Sequence, residues 1–308
     1  MVLQSEGFSD MGTMKRVGVV GAGTMGHGIA QVAAVAGYEV GLVDVAPAAL
    51  ERGLRQIEES LEKLVTKEQI SADEASAARE RISGSSELAS VAEADLVVEA
   101  VVERFEVKRD VLQALDHECD EATILATNTS SISITELAAQ TGRPEQVIGM
   151  HFMNPVPLMK LVEIIRGLGT SQATYDVVEA ATRAMGKTPV ECNDGPGFVS
   201  NRILMPMINE AVFCLFEGVA DVRGIDEIMR LGMNHPMGPL ALADLVGLDV
   251  CLDITQVLHG GFADSKYRPC PLLVRMVDAG YLGRKSARGF YTYGEDPQRT
   301  FHPTRGYT

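Results

Sequence analysis

The chain has no tryptophan, and aromatic residues make up only 5% of it. No apolar run approaches the length of a membrane-spanning helix, which argues against an integral membrane protein of the helical kind. Positive charge is scarce: 27 Lys and Arg face 42 Asp and Glu, for a formal net charge of −15. A general nucleic-acid or membrane-surface binder would carry a basic footprint, so neither class of partner is expected. Any phosphate-bearing ligand must then be met by local cations or by backbone amides. The five cysteines, Cys119, Cys192, Cys214, Cys251 and Cys270, are dispersed and include no C-x-x-C pair. Such an odd, scattered set suits buried thiols in a reducing, cytoplasmic compartment better than a disulfide framework. No metal site is expected. Residues 1–13 have neither an apolar core nor an arginine and resemble no targeting peptide.

The residues present are those of an ordinary globular protein, 46% apolar and 22% charged over 308 positions, enough for two domains. The informative stretch is 17–44, VGVVGAGTMGHGIAQVAAVAGYEVGLVD. A β-branched run meets Gly21, Gly23 and Gly26; a helix of small residues follows, then a second apolar run closing on Asp44. Glycine-rich turns alone are common. Here the G-x-G-x-x-G pattern lies between strand and helix, with an acid following, as a dinucleotide-binding unit requires. Gly21 permits the tight turn, Gly23 lets backbone approach a pyrophosphate, and Gly26 lets helix pack on strand. Thr24 and Met25 complete the loop at the helix N-terminus, where free N–H groups favour an anion. Asp44 would accept from a ribose 2′-hydroxyl and repel a 2′-phosphate, favouring NAD over NADP. The bland alternative is a tight turn with no ligand. His27, just inside the helix, is expected at its surface without a role.

Strand-like runs at 16–20, 39–43, 81–83, 96–100, 124–127, 147–150, 161–165 and 188–191 alternate with helical stretches at 25–36, 46–66, 71–80, 104–119, 134–141 and 171–185. This alternation implies an α/β fold, a Rossmann-type NAD-binding domain with a parallel sheet wrapped on both faces. Helices 46–66 and 71–80 read as a hairpin projecting from the sheet edge. Ser133 and Glu136 form an S-x-x-E capping signature. After the turn Asp194-Gly195-Pro196-Gly197 the pattern becomes helical, at 198–218, 224–231, 239–259 and 271–279. The expected organisation is a cofactor domain over 14–193 and an all-helical domain over 194–294, with tails at 1–13 and 295–308. The helical domain is expected to shape the substrate cleft and form a homodimer, because its apolar-faced helices need cover. The segment RGFYTY at 288–293 reads as a docked aromatic tail.

In an open α/β sheet, ligands bind at the strand ends. Ser130 follows the strand at 124–127, and His151 follows the one at 147–150. Glu163 stands inside the apolar run LVEII. A carboxylate there either faces solvent at an edge or has a buried partner, because burying it unpaired is costly. His151 is the candidate, and a His–Glu pair is a sound general base: the imidazole takes the proton while the carboxylate fixes its tautomer. Alcohol oxidation with NAD needs such a base beside the hydroxyl and donors to orient its oxygen. Ser130 and Asn201 could orient it, though each also reads as a loop or helix-start residue. A Ser130–His151–Glu163 hydrolytic triad is a competing reading, but it lacks the G-x-S-x-G elbow and leaves the glycine loop unexplained. An inactive NAD-binding protein is a third.

The segments GAGTMGHGIAQVAA, NTSS, HFMNPVPLMKLVEII, DGPGFVSNRI and HPMGPLALADLVGLD together resemble the L-3-hydroxyacyl-CoA dehydrogenase family, from about Lys15 to Tyr293. The compact length is similar to its stand-alone, short-chain members. The resemblance implies oxidation of (S)-3-hydroxyacyl-CoA to 3-oxoacyl-CoA with NAD. It assigns His151 as base, Glu163 as its partner, and Ser130 and Asn201 to the substrate's 3-oxygen. It further implies that Glu103, Lys108, Asn128, Asn154 and Lys285 lie on the cofactor side, and that Ser60 and Lys67 contact coenzyme A. On sequence alone Lys67 and Lys108 read as a solvated helix face. The region before Ile82 looks shorter than in mitochondrial members, and the alternative reading is a related NAD-dependent dehydrogenase of a free hydroxy or sugar acid such as gulonate.

Overall fold

The computed structural model describes residues 14–294 and Phe301; the expected leader at 1–13 and the rest of the tail at 295–308 lie outside the described residues. The chain divides after Asp194 into two compact units.

The first unit is built on an eight-stranded sheet. In chain order it comprises β1 (Arg16–Val20), α1 (Gly26–Val35), β2 (Glu39–Val43), α2 (Pro47–Thr66), α3 (Ala72–Glu80), β3 (Ile82–Ser85) and β4 (Leu96–Glu99). There follow α4 (Phe105–Glu118), β5 (Ile124–Thr127), α5 (Ile134–Ala138), β6 (Val147–Phe152), β7 (Leu161–Arg166), α6 (Gln172–Ala184) and β8 (Thr188–Asn193). The strand order is β3-β2-β1-β4-β5-β6-β7-β8. β4 and β5 are buried throughout, as expected of near-continuous apolar strands covered on both faces.

The expected parallel sheet is broken at one pair: β7 runs antiparallel to β6. The connection at 153–160 is too short for the crossover that a parallel return needs, so the chain turns straight back. β6 also extends past Met150 to take in His151. The helices α2 and α3 pack on each other beside β3, the edge strand. Both pack on α1, with Ile57, Leu61 and Ala78 joining its core. Ser133 caps α5 by accepting from the Glu136 N–H at 3.1 Å, and its hydroxyl donates to Asp194. A full reciprocal capping box occurs at α3, between Ser71 and Glu74.

The second unit contains α7 (Ser200–Phe216), α8 (Val222–Gly232), α9 (Pro239–Val246), α10 (Leu248–Phe262) and α11 (Pro271–Asp278) around a core that includes Val212, Leu240, Leu248, Leu273 and Phe290. The single helix expected over 239–259 is two helices. Gly247 separates them at φ +106°, where a side chain would be strained and would meet Asp249 and Lys285 at 3.0–3.1 Å. The RGFYTY segment docks on this unit. Phe290 is buried, the Tyr291 hydroxyl donates to Asp226 at 2.7 Å, and the Tyr293 hydroxyl donates to Asp244 at 3.0 Å. All five cysteines are free thiols. Cys119, Cys251 and Cys270 are buried, whereas Cys192 and Cys214 are only half-buried, short of the expected full burial. Among the described residues no helix is long and apolar enough to cross a membrane, and no cluster of three or more His, Cys, Asp or Glu could hold a metal ion.

Candidate active site

The glycine loop joins β1 to α1. Gly21 has φ +103°, and a Cβ there would lie 2.6 Å from the Ala100 carbonyl oxygen. A Cβ at Gly26 would stand 1.7 Å from the Gly21 carbonyl oxygen, so this glycine is required by the loop itself as well as by packing on the strand. A Cβ at Gly23 would meet nothing within 4 Å, and Gly23 and Thr24 are exposed. Backbone is therefore open to a ligand at the helix N-terminus, the arrangement that accepts a pyrophosphate. Asp44, just past β2, is half-buried beside the loop: Oδ2 accepts from the Ala22 N–H and Oδ1 from the Ala46 N–H, both at 2.9 Å. These residues fit a dinucleotide. The His27 ring is half-buried, with Nδ1 2.7 Å from the Gly23 carbonyl oxygen, rather than spread on the helix surface.

The antiparallel pairing of β6 and β7 sets His151 directly opposite Glu163. His151 Nδ1 lies 2.8 Å from Glu163 Oε2, and both residues are buried. The carboxylate that would be costly to bury alone thus has an imidazole as partner. One residue on, the Phe152 N–H donates to Asn128 Oδ1 at 2.9 Å, tying the end of β5 to the end of β6. Asn154 is exposed on the 153–160 connection, at a cis peptide bond to Pro155.

Glu103 organises the segment after β5. Its Oε1 accepts from the Thr129 hydroxyl at 2.6 Å, the Ser130 N–H at 2.8 Å, the Ser130 hydroxyl at 3.1 Å, the Ser131 N–H at 3.1 Å and the Ser131 hydroxyl at 3.2 Å. Its other oxygen lies 3.2 Å from Lys108 Nζ. Burial pushes the Glu103 carboxyl upward, but the Lys108 charge and these donors outweigh it and hold the group below its ordinary value.

Lys108 corrects the sequence reading. It is not on a solvated face: it is 1% exposed, and its ammonium also donates to both oxygens of the wholly buried Glu99, at 2.8 and 3.1 Å. Its ammonium is thus enclosed between the carboxylates of Glu99 and Glu103. Lys67 is exposed at the C-cap of α2 and Ser60 is half-buried on the same helix. In the second unit, Asn201 is buried in the first turn of α7, and Lys285 is ion-paired with Asp249 at 2.5 Å. Sequence reasoning passed over Glu99 and Thr127. Glu99 carries the same signal that singled out Glu163, an acid within an otherwise apolar strand.

Residues 16–195 match the NAD binding domain of 3-hydroxyacyl-CoA dehydrogenase, and residues 197–293 match its C-terminal domain. The chain is 57% identical to the probable 3-hydroxybutyryl-CoA dehydrogenase of Bacillus subtilis, over 92% of this chain and 98% of that protein. It is 53% identical to the 3-hydroxybutyryl-CoA dehydrogenase of Bradyrhizobium diazoefficiens, over 91% of this chain and 96% of that one. The crystal structure of (S)-3-hydroxybutyryl-CoA dehydrogenase from Ralstonia eutropha is similar with a TM-score of 0.89 and 51% identity, covering 92% of this chain and all of that one. The glycine loop, the paired His151 and Glu163 and these matches over both units lead to one assignment: the chain belongs to the NAD-dependent 3-hydroxyacyl-CoA dehydrogenase family.

Proposed function

We propose that the chain oxidises short-chain (S)-3-hydroxyacyl-CoA, with 3-hydroxybutyryl-CoA as its substrate, reversibly to the 3-oxoacyl-CoA in fatty-acid metabolism. The observation that carries this reading is the buried His151–Glu163 pair, 2.8 Å apart at the ends of two paired strands. When bound, NAD supplies the acceptor for the hydride that leaves C3 of the substrate. His151 takes the hydroxyl proton at Nε2, and the oxygen's freed electron pair forms the new carbonyl. Glu163 holds the proton on Nδ1 and stabilises the imidazolium that results. In the reverse direction that imidazolium returns the proton to the oxygen.

Ser130 and Asn201 orient the 3-oxygen. Gly21, Gly23, Thr24, Met25 and Gly26 hold the pyrophosphate, and Asp44 selects NAD by accepting from a ribose hydroxyl. Glu103, Asn128, Asn154 and Lys285 serve the cofactor, with Lys108 acting through Glu103. Ser60 and Lys67 meet coenzyme A; a protein of net charge −15 needs such local polar and cationic contacts for a polyanionic ligand. Residues 14–193 bind the cofactor, and residues 194–294 serve the substrate and a homodimer. The enzyme works in the cytoplasm.

The test is NADH consumption with acetoacetyl-CoA, compared with NADH formation from free 3-hydroxybutyrate or gulonate. The thioester is expected to turn over and the free acids are not. His151→Gln is expected to lower kcat by about 10²-fold or more while leaving NADH affinity unchanged. Near-normal turnover in that variant would remove His151 from the role of base.

A further inference from the structure

Glu99 ends β4, is 0% exposed, and follows the buried apolar residues Leu96, Val97 and Val98. Its oxygens accept from Lys108 at 2.8 and 3.1 Å, from the Thr127 hydroxyl at 2.6 Å and from the Val101 N–H at 2.7 Å. A buried ion pair of this kind is weak evidence for stability, since apolar residues of similar volume often serve as well or better. The bonds beyond it give a different reason for the pair.

Two routes leave Glu99 and end on the same short segment. In one, Lys108 lies between Glu99 and Glu103, and Glu103 accepts from both the N–H and the hydroxyl of Ser130. In the other, Thr127 is the link. Its single hydroxyl proton goes to Glu99, so its oxygen is left as the acceptor that receives the Thr129 N–H at 3.2 Å. An acceptor-only carboxylate at position 99 therefore sets the polarity of the Thr127 route, and on the other route it shares the donor-only ammonium of Lys108 with Glu103. A glutamine there would turn a donor toward Lys108 or Thr127. It would also release Lys108 to a single carboxylate, leaving less net negative charge at Glu103.

We infer that Glu99 is a positioning residue: through Lys108 and Thr127 it fixes the Glu103 carboxylate and the Thr129–Ser131 segment that presents Ser130 to the substrate. The inference rests on the proposed function in the parts given to Ser130 and to Glu103.

The first measurement is NADH affinity by the cofactor's own fluorescence, with no substrate present. Glu99→Gln is expected to weaken binding about tenfold, the scale of one lost hydrogen bond to a charged group. The second is a double-mutant cycle with Ser130→Ala. Glu99→Gln is expected to lower kcat about tenfold in the otherwise unaltered enzyme and by less than about twofold in the Ser130→Ala background, because the residue it positions is gone. A purely structural role would give equal losses in both backgrounds. Additive losses in kcat, or NADH affinity equal to that of the unaltered enzyme, would overturn the inference. Should Glu99→Gln fail to fold, Thr127→Val keeps the ion pair and cuts the second route alone; its loss of kcat must likewise shrink in the Ser130→Ala background. If acyl-CoA turnover is absent altogether, the proposed function fails, and the fluorescence measurement still decides the effect of Glu99 on the cofactor side.

Discussion

At Glu103, Thr129, Ser130 and Ser131 all donate to one carboxylate oxygen, an arrangement that favours the charged form. Burial works against that charge, and the Lys108 ammonium together with the donors prevails, so the folded carboxyl titrates below its ordinary 4.5. A depressed carboxyl contributes stability that is fully present above the unfolded value and is lost as pH falls through the folded one. Thermal melts of the unaltered protein and of Glu103→Gln should therefore lie furthest apart near neutrality. The gap should close as pH drops below about 4.5, the ordinary carboxyl value. Other carboxylates titrate in both proteins and cancel in the difference. Melting curves that stay a constant distance apart down to acid pH would mean that Glu103 is not held in its charged form by these partners.

At the scale of elements, the β6–β7 connection decides whether Glu163 meets His151, because sliding a strand by one residue turns its side chains to the other face. Two features hold that connection. Buried Lys187, just before β8, donates to the carbonyl oxygens of Val156 at 2.5 Å and Met159 at 2.8 Å. Gly28 in α1 leaves room for Val156, whose Cβ would stand 2.8 Å from a Cβ at position 28. Lys187→Met should leave the two carbonyls without their donor and reduce stability in urea unfolding by about 2 kcal/mol. It should also lower kcat more than NADH affinity, since the glycine loop is untouched. An unchanged urea midpoint would show that the connection holds itself. The same elements show what the sequence makes legible. β1 and β2 end where their apolar runs end, and β5 one residue later, because strands covered on both faces announce themselves by continuous hydrophobicity. Glu163 stood out because an acid in such a run needs a partner. Lys108 did not, because its neighbours on α4 look like an ordinary charged helix face and its two carboxylate partners are brought to it only by folding. The break at Gly247 was hidden as well, since ALADLVGLDV continues a helical pattern through the glycine until its backbone angle is known.

For the whole molecule, the unanswered demand is for cover on the helical unit. In α8, Val222 and Ile225 are buried in the core, while Ile228 and Leu231, three residues apart and so neighbours on the helix surface, are 61% and 80% exposed. Met233 beyond the helix and Ile203 in α7 are also exposed. Single exposed apolar residues are common, but neighbouring ones at helical spacing on an otherwise acidic protein make the face that the proposed homodimer would cover. A homodimer supplies that partner without a second gene product, and its two-fold symmetry sets the same face of each copy against the other. Sedimentation at micromolar concentration should then report the mass of two chains. Placing charge in the middle of such a face opposes association strongly, so Ile228→Glu combined with Leu231→Glu should shift the species to one chain while circular dichroism keeps its helical signal. The glycine loop, Asp44 and Glu103 all belong to the first unit, so NADH should still bind the dissociated variant. A single-chain mass for the unaltered protein would leave these side chains exposed without a dimer to cover them, and a double variant that still sediments as two chains would place the dimer surface elsewhere.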